Sequence, residues 1–251
     1  MSEKIYEVPA EWKSRAFVDE AKYETMYAQS INDPNAFWGE QGKRIHWTKP
    51  FTKVKNTSYD PHHVSIKWFE DGETNVSYNC VDRHLAKWKN KAALIFVPEP
   101  EDESHIVITF QELYRRVNEV AAMLRDFAGL QKGDRVTIHM PMIPELPITM
   151  LACARLGVIH SVVFGGFSGE ACGLRAADSG SRVLIYADGY HRNGRWVDHK
   201  ASADIAVDTA QEALVSDKVF GAIFGTAIAT VTFGWLALLG YVGWKFVDAL
   251  W

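Results

Sequence analysis

Lys132-Gly-Asp-Arg-Val-Thr-Ile-His139 decides the fold, because a Gly-Asp turn feeds directly into a short β-branched strand. Behind it, Pro144 to Leu156 reads as a helix stopped by Gly157, and Ile159-His-Ser-Val-Val-Phe164 as the next strand. Ser168 caps a second helix reaching about Ser179, and Arg182-Val-Leu-Ile-Tyr186 follows as a third strand. Strands joined by helix-length crossovers lie parallel in one sheet. The predicted fold class is therefore α/β with a parallel sheet.

Upstream of this core, Thr109-Phe-Gln-Glu112 is a capping box. Phe110, Leu113, Val117, Val120, Ala121, Leu124 and Phe127 recur behind it at helical spacing, and Gly129 stops the helix. Ala93-Leu-Ile-Phe-Val97 fits a buried strand. Residues 1–90 are rich in Trp, Asn, Asp and Pro, with one helix around Glu20–Gln29 and the remainder read as an extended segment wrapping something larger. The expected organisation is a wrapping segment over 1–90, an α/β subdomain over 91–207, and a membrane-spanning helix with a short tail over 208–251.

Composition narrows the function. Lys plus Arg is 27 against 31 for Asp plus Glu, a net charge of −4 that gives no basic face for nucleic acid. With 47% hydrophobic residues the chain is not broadly disordered. Cys80, Cys153 and Cys172 have neither metal nor disulfide spacing and read as small hydrophobes. His62-His63 reads as a loop, His139 and His160 as core histidines, and Glu99, Glu101, Asp102 and Glu103 as a solvated acidic connection. No nucleophile–base pair or metal set stands out.

Val219 to Trp244 is a different kind of sequence: 26 consecutive residues without a charge. As a helix it would be about 39 Å long, more than the roughly 30 Å hydrocarbon core of a bilayer. Trp235, Tyr241, Trp244 and Trp251 crowd one end as interfacial aromatics do. Met1-Ser-Glu-Lys-Ile-Tyr-Glu-Val-Pro-Ala10 lacks the apolar stretch of a signal peptide. The expectation is a single pass in an inner or cytoplasmic membrane, with the N-terminal domain cytoplasmic. Gly221, Gly225 and Ala229 form an i, i+4, i+8 stripe on which another helix can pack closely. Membrane lipid and an integral membrane complex, or a second copy of this chain, are the partners this predicts.

Several blocks together resemble a known family. Phe37-Trp-Gly-Glu-Gln-Gly42, Thr52-Lys-Val-Lys-Asn-Thr-Ser58 and Asn79-Cys-Val-Asp-Arg-His-Leu85 lead into Met140-Pro-Met-Ile-Pro-Glu145, Met150-Leu-Ala-Cys-Ala-Arg-Leu-Gly157 and His160-Ser-Val-Val-Phe-Gly-Gly-Phe-Ser168. In order and spacing they resemble the N-terminal region of AMP-forming acetyl-CoA synthetase, an adenylate-forming enzyme. The resemblance runs from about Tyr23 to Arg195. It makes the parallel sheet a partial, N-terminal portion of a larger fold, and it implies a coenzyme A site at Phe164, Gly165, Gly166, Arg192 and Arg195.

The resemblance also implies a phosphate loop, an acetate pocket and a catalytic lysine further along, and no counterpart follows Asp208. Gly169 stands where the family usually has proline, and Ala176 and Ala177 replace larger apolar residues. The expected function is thus a non-catalytic single-pass accessory protein whose helix docks on a larger membrane complex, respiratory or photosynthetic, beneath a truncated synthetase-like cap. The alternative is a membrane-tethered coenzyme A or nucleotide binder, or half of a split acetate–CoA ligase.

Overall fold

A computed structural model describes residues 6–215. The expected span, its stripe Gly221, Gly225 and Ala229, and the tail lie outside the described residues. Among the described residues no helix is long and apolar enough to cross a membrane. The chain divides into two compact units between Cys80 and Val81.

The first unit holds more regular structure than the expected extended wrap. After a short α1 (Ala10–Ser14), α2 (Glu20–Asn32) and α3 (Pro34–Gly42) follow directly on one another. Asp19 accepts from Lys22 N at 2.8 Å and Asp33 from Ala36 N at 3.0 Å, so each helix starts on a carboxylate cap. β1 (Lys53–Asp60) and β2 (His63–Glu70) form an antiparallel hairpin, with α4 (Val76–Cys80) after it. Trp47, Phe51 and Phe69 pack ring against ring, with centroids 4.8 to 5.5 Å apart.

In the second unit a short α5 (Leu85–Trp88) leads to β3 (Ala92–Phe96), which pairs antiparallel with β4 (Ile106–Thr109). The capping box forms as expected: Glu112 N donates to Thr109 Oγ1 at 3.2 Å, and Thr109 N donates to Glu112 Oε2 at 2.9 Å. It opens α6 (Phe110–Ala122), which continues into a π turn, Met123–Phe127, before Gly129 at φ 63°.

The alternating pattern then unfolds as read: β5 (Arg135–Met140), α7 (Glu145–Leu156), β6 (Ile159–Phe164), α8 (Gly169–Ser179) and β7 (Val183–Tyr186). The three strands are parallel in the order β6-β5-β7. α7 ends on Gly157 at φ 71°, the left-handed stop. Because side chains alternate along a strand, β5 serves two cores. Val136, Ile138 and Met140 enter the larger one with Leu113 and Val117 of α6 and Ile148 and Ala152 of α7. Thr137 and His139 point the other way, to Ser181 and Ser202.

β8 (Gly189–Arg192) and β9 (Arg195–Asp198) form a further antiparallel hairpin, and residues 199–215 are helical. That helix begins on Asp198, whose carboxylate accepts from Ala201 N at 3.2 Å, so Asp208 lies inside it rather than at its start. It packs so closely on α8 that a Cβ at Gly169 would sit 2.5 Å from Ser202 O, and one at Gly173 2.5 Å from Ala206 O. This explains the glycine at 169: a proline ring has no room there. Gly173→Leu must force α8 and the 199–215 helix apart, lowering stability by about 1–3 kcal/mol. Denaturant unfolding of the full chain measures it, and an unchanged midpoint would contradict the close packing.

Candidate functional site

The chain leaves β5 for β6 on one side and then crosses back to β7 on the other. In open α/β sheets, ligands settle outside the carboxyl ends of the strands at such a reversal. A cleft of about 390 Å3 opens there. One side is Pro141, Met142 and Ile143 after β5, with Phe164 and Gly165 at the end of β6. Another is the β8–β9 hairpin, through Gly189, Tyr190, Arg192 and Trp196. The third is the proline-rich loop carrying Glu99 and Glu103.

The hairpin turns on Asn193 and Gly194 at φ 53° and 70°, the pair of positive angles that two-residue hairpins favour. Its tip is fastened to the acidic loop, because Gly194 N donates to Glu99 Oε1 at 2.8 Å. Its base is fastened to the glycine turn, because Tyr190 Oη donates to Gly165 O at 3.2 Å. Arg192 places its guanidinium carbon 5.9 Å from the centre of the Phe164 ring. A Cβ on Gly166 would lie 2.8 Å from Arg192 Nη1, so the missing side chain leaves the guanidinium its seat.

Aromatic walls, one guanidinium and a bare Gly-Gly backbone suit a ligand with a flat or apolar body and an anionic group near Arg192. Burial raises the Cys153 thiol to about 11 and pushes Cys172 up as well, so neither carries a ready thiolate at neutral pH. Burial also lowers the His160 imidazole, keeping it neutral. Among the described residues no group of three His, Cys, Asp or Glu side chains is placed to hold a metal ion.

Of the residues singled out in the sequence, the fold brings together Phe164, Gly165 and Arg192, with Gly166 directly behind the guanidinium. Arg195 stands across the turn, in register with Arg192, and does not line the cleft. Tyr190 and Trp196 escaped the sequence reading, which placed Glu99 in a solvated connection and Pro141–Ile143 in a block of the resemblance without a role at the site. Asn193-Gly194 was the available signal, since Asn-Gly between short runs marks a hairpin. The acidic loop, read as solvated, contributes Glu99 to that hairpin.

A parallel sheet with a cleft at its carboxyl edge, and a glycine turn facing an arginine, defines an α/β domain of the parallel-sheet class. The chain belongs to the AMP-binding enzyme family, whose model matches residues 81–223, and residues 23–80 match the acetyl-coenzyme A synthetase N-terminus. Similar proteins include the acetyl-coenzyme A synthetase of Xanthobacter autotrophicus, 59% identical over 207 residues, which are 82% of this chain and 32% of that protein. That of Methylocella silvestris is 53% identical over 208 residues, 82% of this chain and 32% of the relative. That of Beijerinckia indica is 49% identical over 227 residues, 89% and 35% respectively. The chain thus spans about a third of the length of these relatives.

Glu99 is the test of the hairpin's fastening. A hydrogen bond to a charged acceptor contributes about 1.5–3 kcal/mol. Glu99→Ala should therefore raise hydrogen exchange at the Gly194 amide at least roughly tenfold while leaving the β5 amides protected. Unchanged exchange at Gly194 would show that the loop does not hold the tip.

Proposed function

We propose that this chain binds coenzyme A through the cleft, as the coenzyme-facing part of an acetate–CoA ligase fold. The observation that carries the reading is Arg192 lying over Gly166 beside the Phe164 ring at the mouth of an aromatic-lined cleft. The guanidinium offers forked donors to a phosphate of the coenzyme. The Phe164, Tyr190 and Trp196 surfaces offer an apolar wall to its base or its pantetheine arm. The Gly165-Gly166 turn, bare of side chains, seats the guanidinium and passes close to Pro141. Arg195, on the far strand of the turn, adds positive charge rather than a direct contact. Acetate activation by the whole synthetase architecture belongs to the same proposal, because the relatives carry that name and this chain spans about a third of their length.

Saturable binding of coenzyme A by the full chain in mild detergent, followed by calorimetry, is the expected result. Arg192→Ala should weaken it by about 1.5–3 kcal/mol, the range for a charge-assisted hydrogen bond, or roughly ten- to a hundredfold. Absence of saturable binding would overturn the reading.

A second reading adds a membrane, and the uncharged run 219–244 favours it. In it that run crosses an inner or cytoplasmic membrane once, with the N-terminal domain on the cytoplasmic side. The chain is then a tethered binder, half of a split ligase, or a non-catalytic accessory protein docked on a larger membrane complex through Gly221, Gly225 and Ala229. Alkaline carbonate should leave the full-length protein in the membrane pellet, and its release would rule the span out. Gly225→Ile should lose the partner, or the homodimer, on mild extraction, whereas Ala237→Ile should keep it. Equal retention by both variants would reduce the stripe to ordinary glycine usage.

A further inference from the structure

Behind the cleft lies a group that the coenzyme reading does not use. His139, on the central strand, is 0% exposed, and His199, at the start of the 199–215 helix, 1%. Their ring centroids are 4.2 Å apart. His139 Nδ1 is 3.3 Å from Val163 O, and His199 Nδ1 is 3.3 Å from Ala187 O. A carbonyl only accepts, so both Nδ1 atoms carry the proton of a neutral imidazole. His139 Nε2 then accepts from Ser202 Oγ at 3.4 Å, and His199 Nε2 is buried with no partner among the described residues. The Tyr190 ring meets His199 edge-on with centroids 5.5 Å apart, and the Tyr190 hydroxyl holds Gly165 O.

We propose that this pair positions the cleft: in its neutral form it holds Tyr190, and through Tyr190 the glycine turn, and one proton taken up by the pair slackens the hairpin wall. The inference rests on the reading of the cleft as a ligand site.

A proton entering at His199 Nε2 would make a buried N–H with no acceptor, and at either ring it would set a cation against its neighbour. Among the described residues neither ring is hydrogen-bonded to a carboxylate that could stabilise that charge. The ionisable side chains on the surrounding elements are largely engaged elsewhere. On the helix Lys200 pairs with Asp204, and Asp198 caps Ala201 N. Asp188 accepts from Gly189 N, and Arg175 of α8 donates to Ala171 O. The Glu170 carboxyl of α8 is held below its usual value by hydrogen bonds, first from its own backbone amide and then from the Ser168 hydroxyl, and the Cys172 thiol is kept neutral by burial. Tyr186 of β7 stands in register with His139. On the hairpin, His191 packs on Trp196 and Arg192 faces the Phe164 ring, with Arg195 across the turn.

Burial, and secondarily the His199 neighbour, lowers the His139 imidazole. A lowered folded-state value means that the stabilisation due to neutral His139 is complete above the unfolded imidazole value, roughly 6.5. It is lost as pH falls through the folded value.

The test uses the full chain and two readouts. Without ligand, hydrogen exchange of peptides covering 163–168 and 189–198, normalised to α6, should step upward as pH drops below roughly 6.5. His139→Phe, which keeps a ring but removes the imidazole whose charged form burial disfavours, should remove the step. Tyr190→Phe, which leaves both imidazoles intact, should remove it at 163–168. With coenzyme A, wild-type affinity should fall roughly tenfold further than that of either variant across the same range, since ionisation of the coenzyme's own phosphate is common to all three. No exchange step in the wild type, or an equal step in Tyr190→Phe, overturns the proposal. An exchange step without coenzyme binding at any pH overturns the ligand reading and leaves the positioning pair standing.

Discussion

β5 is the element on which the second unit depends, because it is buried on both faces at once. A strand with neighbours on both edges and helices on both faces must satisfy two cores with one alternating set of side chains. Val136, Ile138 and Met140 fill the larger core, while Thr137 and His139 meet hydroxyls on the other side. A register slip of one residue would send the threonine and histidine into the apolar core and the isoleucine against Ser181 and Ser202. Pairing with β6 on one side and β7 on the other is thereby specified before any loop contributes, and the cleft follows from where those strands end.

The second core is smaller and is built from short side chains. Val163, Cys172 and Ala206 form it with Leu184, and α8 approaches the following helix through Gly169 and Gly173. Little apolar area is available there, so backbone proximity and dense dispersion contacts replace it. The two glycines on α8 cost helix propensity, and the close crossing they permit offsets that cost. The departures from the family pattern around residue 169 are therefore consistent with a demand for close packing as much as with any loss of function.

Elements with strong local signals were legible in the amino-acid sequence. The Thr109–Glu112 capping box, the Gly157 stop, the Ser168 cap and the three core strands all stand where their residues put them. What escaped was pairing without a strong apolar rhythm. β1 reads Lys-Val-Lys-Asn-Thr-Ser-Tyr-Asp, mostly polar and partly exposed, and its place is set by β2 rather than by its own sequence. β4 was missed because Ile106-Val-Ile-Thr109 is only four residues long. In the cleft, Phe164, Gly165 and Arg192 were legible through a motif. Tyr190, Trp196 and Glu99 were not, because their roles exist only once the hairpin has folded back over the end of the sheet.

The two proposed roles, coenzyme binding and membrane attachment, would draw on different residues. Helix 199–215 begins at His199, beside Tyr190 and the cleft, and runs about 25 Å at the helical rise before the chain reaches Ser216. The uncharged run starts at Val219, so a bilayer holding it would meet the chain at the end of the helix remote from the hairpin. If that run is a tether, as in the second reading, the helix that closes the second core is the segment through which it would act on the domain. Its fit against Gly169 and Gly173 fixes the direction in which it leaves the fold.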